Sequence, residues 1–411
     1  MGFEFRKIKY APGPGSLVTA AFIGPGTVTV CTLAGVNYGL ELLWTLALSV
    51  IATVILQEMA ARLGLVYKKG LASIIREQFQ KPLSRYLAIG LVIMAVVFGN
   101  AAYQAGNITG GAMGAELIFE LPLIPSYGFA INIFSLMIGL LSGVFLYAGN
   151  YKLVERVMMV LVVIMSISFI TAAFMTRPSL TDLMRGFSPT LSGDNMLTIV
   201  ALIGTTVVPY NLFLHSALVA DRWSRPENLK SVRLDTIVSI ILGGLISLAI
   251  LITAAASQAQ EVNSAKDLAL SLTPMYGHAA KYMIAIGLFA AGITSAMTAP
   301  LAAAFVVCGC FGWPQHVKSA PMRITMGLIL LTGLALASLG IRPVELITFA
   351  QLTNGILLPL VTGYILYLVN QYSILGKHKN KWRHNILGFS IWIITLILGS
   401  RSVLKVLEDW I

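Results

Sequence analysis

The sequence predicts an all-α integral membrane protein made of two five-span halves in an inverted repeat, followed by an eleventh transmembrane helix. Three observations carry that prediction: a shortage of charge, the spacing of the apolar runs, and two matched interruptions within them. Of 411 residues, 57% are hydrophobic and 11% charged. Soluble domains carry about 25% charged residues, so this chain cannot cover a globule of its size with solvated side chains. A soluble enzyme, a secreted scaffold and a disordered chain are excluded, and a helical polytopic membrane protein remains.

A helix needs about 20 apolar residues to cross hydrocarbon. Runs of that kind fall at 16–38, 41–66, 86–119, 127–148, 152–176, 195–221, 233–258, 277–312, 320–340, 344–372 and 383–407. The first is expected to be a span and not a leader, because Gly13, Pro14 and Gly15 interrupt it early and no cleavage site follows. The chain reads as a single transmembrane domain over 1–411, with 16–176 as the first repeat, 195–372 as the second and 383–407 as span 11. Most of the 28 Lys and Arg fall on alternate connections if the N-terminus is cytoplasmic. Only Arg177, Arg185, Lys266, Lys281 and Arg342 then lie in external loops, with Arg401 and Lys405 near the C-terminus. By the positive-inside rule this places the N-terminus in the cytoplasm of a plasma (inner) membrane protein and, with an odd number of spans, the C-terminus outside. The net charge of +11 is a topology signal, and no nucleic-acid partner is expected. Cys31, Cys308 and Cys310 lie in apolar runs without metal-ligand spacing and read as small buried hydrophobes.

Spans 1 and 6 are broken alike. Span 1 carries Gly24-Pro25-Gly26-Thr27, and span 6 carries Thr205-Thr206-Val207-Val208-Pro209-Tyr210-Asn211. A mid-membrane proline frees a backbone carbonyl, and glycine lets the chain leave helical geometry. Unwound backbone at that depth is tolerated only inside protein or along a cavity. Each break sits in the first span of a five-span half, the pattern of an inverted-repeat transporter with its site at the midplane. Two ordinary proline kinks are the plainer alternative.

At these breaks the sequence resembles the NRAMP family of proton-coupled divalent-metal transporters. The resemblance rests on Gly13-Pro14-Gly15, Ala21-Phe22-Ile23-Gly24-Pro25-Gly26-Thr27, Leu42-Leu43-Trp44, Ala60-Ala61-Arg62-Leu63-Gly64, and Pro209-Tyr210 through Leu214-His215-Ser216. It extends over essentially all eleven spans and implies the LeuT-like fold. The family's chemical groups depart from the pattern. Its span 1 Asp and Asn correspond to Gly24 and Thr27, its Met and His flanking the sixth-span proline to Val208 and Tyr210, and its third-span acidic pair to Gln104 and Asn107. Backbone carbonyls, His215 and Gln351 remain of the implied site. Mn²⁺ and Fe²⁺ are held by carboxylate with neutral or soft ligands, and Mg²⁺ nearly always by at least one carboxylate. No acid lies beside either break, so no transition-metal site is expected. Glu58, within span 2, has Arg62 four residues on and reads as a structural ion pair.

Without an anionic ligand the electrostatics of such a site change sign. Each half-helix that begins at a break offers N–H groups and a partial positive charge, the makings of an anion site. The expected substrate-binding set is Gly24, Pro25, Gly26, Thr27, Thr205, Thr206, Val208, Pro209, Tyr210, Asn211 and Gln351. The expected substrate is a small inorganic anion, with bicarbonate the first candidate. Threonines that only back-bond to their own helix are the alternative. An anion enters a negatively polarised cell against about 2.3 kcal/mol per charge per 100 mV, so uptake needs a driving cation. No resident cofactor is expected, and Na⁺ is the expected coupling ion. The LeuT-like resemblance implies a site for it between Ala20 and Ile23 on span 1 and Thr294, Ser295 and Thr298 on span 8, although small hydroxyl residues are also frequent in helix packing.

Asn100, Gln104 and Asn107 share one face of span 3 and either line the route or bond between helices. His215 either relays protons or packs, and Gln351 with Asn354 on span 10 faces the cavity as a candidate gate. The expected partners are a small ion and the lipid bilayer, with the protein monomeric. Three alternatives stand beside anion transport. A divalent cation such as Mg²⁺ or Mn²⁺, carried without protons, would give metal flux. A channel would give currents above carrier turnover, and a sensor would bind without flux. An enzyme is not expected, since no Ser/His or Asp/Asp pair has suitable spacing.

Overall fold

The computed structural model describes residues 13–15, 18–19, 23–119, 124–126, 129–148, 152–223, 225–257 and 259–408. Among them, nine helical segments are long and apolar enough to cross a membrane. The second half of span 1, Pro25–Tyr38, and span 4, Ile133–Ala148, are shorter apolar helices of 14 and 16 residues. These two lie where spans 1 and 4 are expected, and residues 16–17 and 20–22 of span 1 are outside the described residues.

Span 2 is Leu43–Tyr67. Span 3 runs unbroken over Pro82–Glu116, with a π-helical turn at Met94–Phe98. Span 5 is Lys152–Thr176. Span 6 is two helices, Met196–Thr206 and Pro209–Arg222. Spans 7 to 11 are Leu229–Ala255, Ala279–Phe311, Ala320–Ala337, Pro343–Val369 and Trp382–Glu408.

Burial separates an inner from an outer set. Spans 6 and 8 are 89% buried over their most apolar window, whereas spans 5, 9 and 11 are 33% buried. The outer helices keep Ile, Leu and Phe on their exposed faces, as lipid contact requires. Span 3 packs against spans 8, 9 and 10, the second half of span 1 against span 7, and the two halves of span 6 against spans 10 and 2 respectively. The second half of span 1 and both halves of span 6 therefore lie among unbroken helices. Small residues permit the close crossings: a Cβ on Gly292 of span 8 would overlap the backbone of Gly111 on span 3.

Several boundaries depart from the expectation. Span 4 begins at Ile133 and not at 127, because Ile124–Ser126 and Phe129–Ile131 pair as an antiparallel hairpin. Asn132 then caps the helix, its Oδ1 accepting from the N–H groups of Phe134 at 2.9 Å and Ser135 at 3.3 Å. Span 10 stops at Val369, and Tyr372–Leu375 forms a separate turn. Short helices occupy connections read from the sequence only as loops, including Leu71–Gln78 and Ala265–Leu270. The second of these starts on a reciprocal capping box between Ser264 and Asp267.

Candidate ion-binding site at the two broken helices

The two breaks share one local build. In span 1 the Ile23 N–H donates to the Thr19 carbonyl at 3.1 Å, Gly24 is extended, and Pro25 opens the next half-helix. In span 6 the Val207 N–H donates to the Ile203 carbonyl at 2.8 Å, Val208 is extended, and Pro209 opens the second half. Proline suits the first helical position, where its missing N–H would have no intrahelical acceptor and its fixed φ is already helical. The prolines are therefore starts of half-helices and not kinks within continuous ones. The alternative of two ordinary kinks is excluded by the extended residues that precede them.

The breaks meet. The hydroxyls of Thr27 and Thr205 are hydrogen-bonded at 2.9 Å, and both residues are fully buried. Gln351 of span 10 lies against both breaks: a Cβ on Gly26 would overlap its side-chain amide nitrogen, and one on Gly204 its backbone carbonyl oxygen. A Cβ on Gly110 of span 3 would overlap the Pro25 ring. Glycine at 26, 110 and 204 is thus what allows spans 3 and 10 to close on the break residues. Thr206 donates back to the Leu202 carbonyl at 3.1 Å, so its hydroxyl is engaged with its own helix.

Beyond the threonines the wall is made of neutral polar groups. Tyr210 is buried, and its ring meets that of Tyr103 on span 3 edge to face, with centroids 5.2 Å apart. Asn211 is buried, and neither its amide oxygen nor its amide nitrogen has a protein partner. Leaving a buried polar group unpaired costs on the order of 1–3 kcal/mol, and such groups persist where a solute supplies the missing bonds. No Asp or Glu belongs to either break. Among the described residues, no group of three or more His, Cys, Asp or Glu is placed to hold a metal ion.

The remaining expected residues divide. Asn100 and Gln104 each donate an amide N–H to span 8, to the carbonyls of Ala299 and Ala296, both at 3.0 Å. They tie span 3 to span 8, one of the two roles left open for them. Asn107 and Asn354 are buried, and Asn354 packs toward Gly99 of span 3. His215 pairs through Nδ1 with Oε1 of Gln57 on span 2 at 2.8 Å. On span 8, Thr294 donates to the carbonyls of Ala290 and Ala291 and Thr298 to that of Thr294. Their oxygens keep lone pairs for a cation. Ser295 and Ile23 are buried, and Ala20 lies outside the described residues.

Three participants escaped the sequence reading: Tyr103, Gln57 and Asp235. Asp235, inside span 7, is 4% exposed. Its two carboxylate oxygens accept from the N–H groups of Gly13 at 2.9 Å and Gly15 at 2.8 Å. A carboxylate at the start of a helix meets unpaired N–H groups and the positive end of the dipole. A lone acid two residues from Arg233, at the edge of an apolar run, was the available signal. Nearby on the same helix, Arg233 joins the expected pair: Glu58 bonds Arg62 at 3.1 Å and Arg233 at 2.8 Å. Arg62 also donates to the His378 carbonyl and the Asn380 side chain.

The family model described as natural resistance-associated macrophage protein-like matches residues 15–405. The chain belongs to the NRAMP family. Curated relatives include the divalent metal cation transporter MntH of Mycobacterium leprae, 26% identical over 96% of this chain and 92% of that protein. The protein of the same name from Erwinia tasmaniensis is 26% identical over 96% and 94%. Among solved structures, a mutant of the Eremococcus coleocola manganese transporter superposes with a TM-score of 0.78 at 19% identity, covering 95% of this chain and 85% of that one. Mhp1, a nucleobase-cation-symport-1 family transporter, gives 0.55 at 16% identity over 97% and 93%. This NRAMP chain is thus a multi-pass membrane protein with the LeuT-like fold, a secondary transporter and not an enzyme.

Proposed function

We propose that this NRAMP-family transporter carries a small oxyanion, with bicarbonate as the leading substrate and Na⁺ as the coupling ion. The carrying observation is the neutral site: two helix N-termini, the Thr27–Thr205 hydroxyl pair and the unpartnered Asn211 amide, with no carboxylate in either break. A dication among neutral oxygens in a low-dielectric cavity lacks compensation for its lost hydration. An anion there finds hydrogen-bond donors and positive dipole ends. The correspondence that the resemblance implies, of Gly24 to the family's metal-binding acid and of Val208 to its soft ligand, supports the same reading.

The second reading is transport of a divalent cation such as Mg²⁺ or Mn²⁺ without protons, and the comparisons favour its cation, because the named relatives are divalent metal cation transporters. Sodium coupling rests on the span 8 hydroxyls and on the need to drive an anion inward, about 2.3 kcal/mol per charge per 100 mV. The proposed orientation keeps the N-terminus in the cytoplasm, on the charge asymmetry of the connections.

Labelled bicarbonate uptake into proteoliposomes, with and without an inward Na⁺ gradient, is the test, with Mn²⁺ and Mg²⁺ flux as separate arms. Sodium-stimulated bicarbonate uptake without metal flux is the expected result. Metal flux without bicarbonate uptake refutes the anion reading, and bicarbonate uptake indifferent to Na⁺ refutes the coupling alone.

A further inference from the structure

We propose that the groove between spans 10 and 11 binds an anionic phospholipid, with the headgroup on the basic connection between the two helices and an acyl chain laid into the groove. The site is independent of which ion the protein carries. The groove, of about 380 Å³, opens where span 10 ends and span 11 begins. The two helices run in opposite directions, so its lining is sorted by depth. Asn370, Gln371 and Asn385 lie at the helix ends, whereas Leu366, Phe389 and Trp392 lie a turn or more further into the membrane. The Phe389 and Trp392 rings meet with centroids 6.3 Å apart at 73°. Trp392 donates its indole N–H to the Pro359 carbonyl at 3.0 Å, so what it offers a ligand is apolar ring.

The polar end is held in place by a relay of amides. Asn380 donates to Asn385 at 2.8 Å, Asn385 to Asn370 at 2.7 Å, and Asn370 to the Leu366 carbonyl at 2.8 Å. Arg62 of span 2 bonds the Asn380 side chain and the His378 carbonyl, and the Asn380 N–H donates to the Val369 carbonyl at 3.0 Å. The connection is therefore fixed against the end of span 10. Lys379 and Lys381 flank Asn380, with Lys377 and Arg383 two residues further to either side. All four are exposed, and among the described residues none is in a salt bridge. No Asp or Glu occurs between Glu345 and Glu408. Glu58, linked to the connection through Arg62, is already paired with Arg62 and Arg233. Lys379 lies over the Tyr372 ring and Arg383 over the Trp382 ring. Those rings are 71% and 68% exposed, as aromatic side chains at a membrane–water interface are, which puts the cations at headgroup depth.

Charge, amides and apolar rings thus follow one another in the order of an amphiphile. Basic clusters beside a membrane helix attract anionic headgroups. Span 11 is 33% buried over its most apolar window, so the groove faces lipid. An empty groove would forfeit the dispersion contacts that an acyl chain supplies. A soluble anion would use only the basic end, and a zwitterionic lipid lacks the net charge.

Native mass spectrometry of the full-length, delipidated protein, titrated with phosphatidylglycerol or phosphatidylcholine, tests the site. One phosphatidylglycerol is expected to bind about tenfold or more tighter than phosphatidylcholine. Each basic side chain near a charged lipid is worth about fivefold in binding. The combined variant K379Q, K381Q and R383Q is therefore expected to bind phosphatidylglycerol about a hundredfold more weakly. Gly363→Leu fills the groove with every cation in place, since a Cβ there meets only the Trp392 ring, at 3.3 Å and beyond. It is expected to weaken phosphatidylglycerol about tenfold. Phe389→Ala, at a side chain 44% exposed, strips the groove wall and is expected to weaken binding about fivefold even if Gly363→Leu folds poorly. Equal affinity for the two lipids overturns the proposal. So does binding within about twofold of wild type in the groove variants that fold, which would leave only diffuse attraction to a basic surface.

Discussion

Asp235→Ala removes a carboxylate whose two oxygens hold the N–H groups of Gly13 and Gly15 at 2.9 and 2.8 Å. The acid is 4% exposed, so water replaces it poorly in the closed arrangement. A hydrogen bond to a charged group contributes on the order of 1.5–3 kcal/mol. Two such bonds at the lower end give about 3 kcal/mol, and each 1.4 kcal/mol is about tenfold in an equilibrium. The segment that leads into span 1 should therefore open about a hundredfold more often in the variant. Water entering the vacated space lowers that figure, and tenfold is the smallest change consistent with the geometry. Hydrogen–deuterium exchange read by mass spectrometry, on a peptide containing Gly13 and Gly15, measures the opening directly. Faster exchange confined to that peptide and to the facing part of span 7 is expected, with spans 8 and 10 unchanged. Exchange at Gly13 and Gly15 within about twofold of wild type would falsify the assignment of Asp235 as the anchor of this segment.

Gly204→Ala is expected to lower the melting temperature or prevent folding, because its Cβ would overlap a backbone oxygen of span 10. Gly26→Ala meets only the mobile end of the Gln351 side chain and should fold while impairing uptake; thermal melts of the pair check this. Arg62→Ala leaves the His378 carbonyl and the Asn380 side chain without their donor and Glu58 with Arg233 as its remaining partner, which should cost on the order of 1–3 kcal/mol. Arg233→Ala, whose side chain is 40% exposed, should cost about 1 kcal/mol or less, and equal losses in denaturation would refute the ranking. Gly24→Asp places a carboxylate at the first break, so Mn²⁺ binding should appear by titration calorimetry while bicarbonate uptake falls. No gain in metal binding would show that the pocket lacks the geometry for a metal ion.

Much of the architecture was legible because the bilayer leaves few choices: backbone polar groups in hydrocarbon must be satisfied within helices. The breaks at Gly24-Pro25 and Val208-Pro209 were equally legible, since proline and glycine act through local backbone geometry. The Glu58–Arg62 pair followed from helical spacing, but its third member, Arg233, comes from a helix far along the chain. Asn100 and Gln104 show the same limit. Their shared face was readable, whereas their acceptors on span 8 depend on how two helices cross.

The sequence by itself determined the class of the protein, the places where its helices come apart, and the neutral character of the residues there. Those properties are local, set by hydrophobicity, by proline and glycine, and by which side chains carry charge. Only the tertiary structure decided that Thr27 meets Thr205, that Gln351 lies against Gly26 and Gly204, that Tyr103 packs on Tyr210 and that Asp235 holds Gly13 and Gly15. Each of these contacts joins residues 107 or more positions apart, as Tyr103 and Tyr210 are. Such pairs are fixed by helix packing through small residues, for which no local pattern in the chain is a substitute.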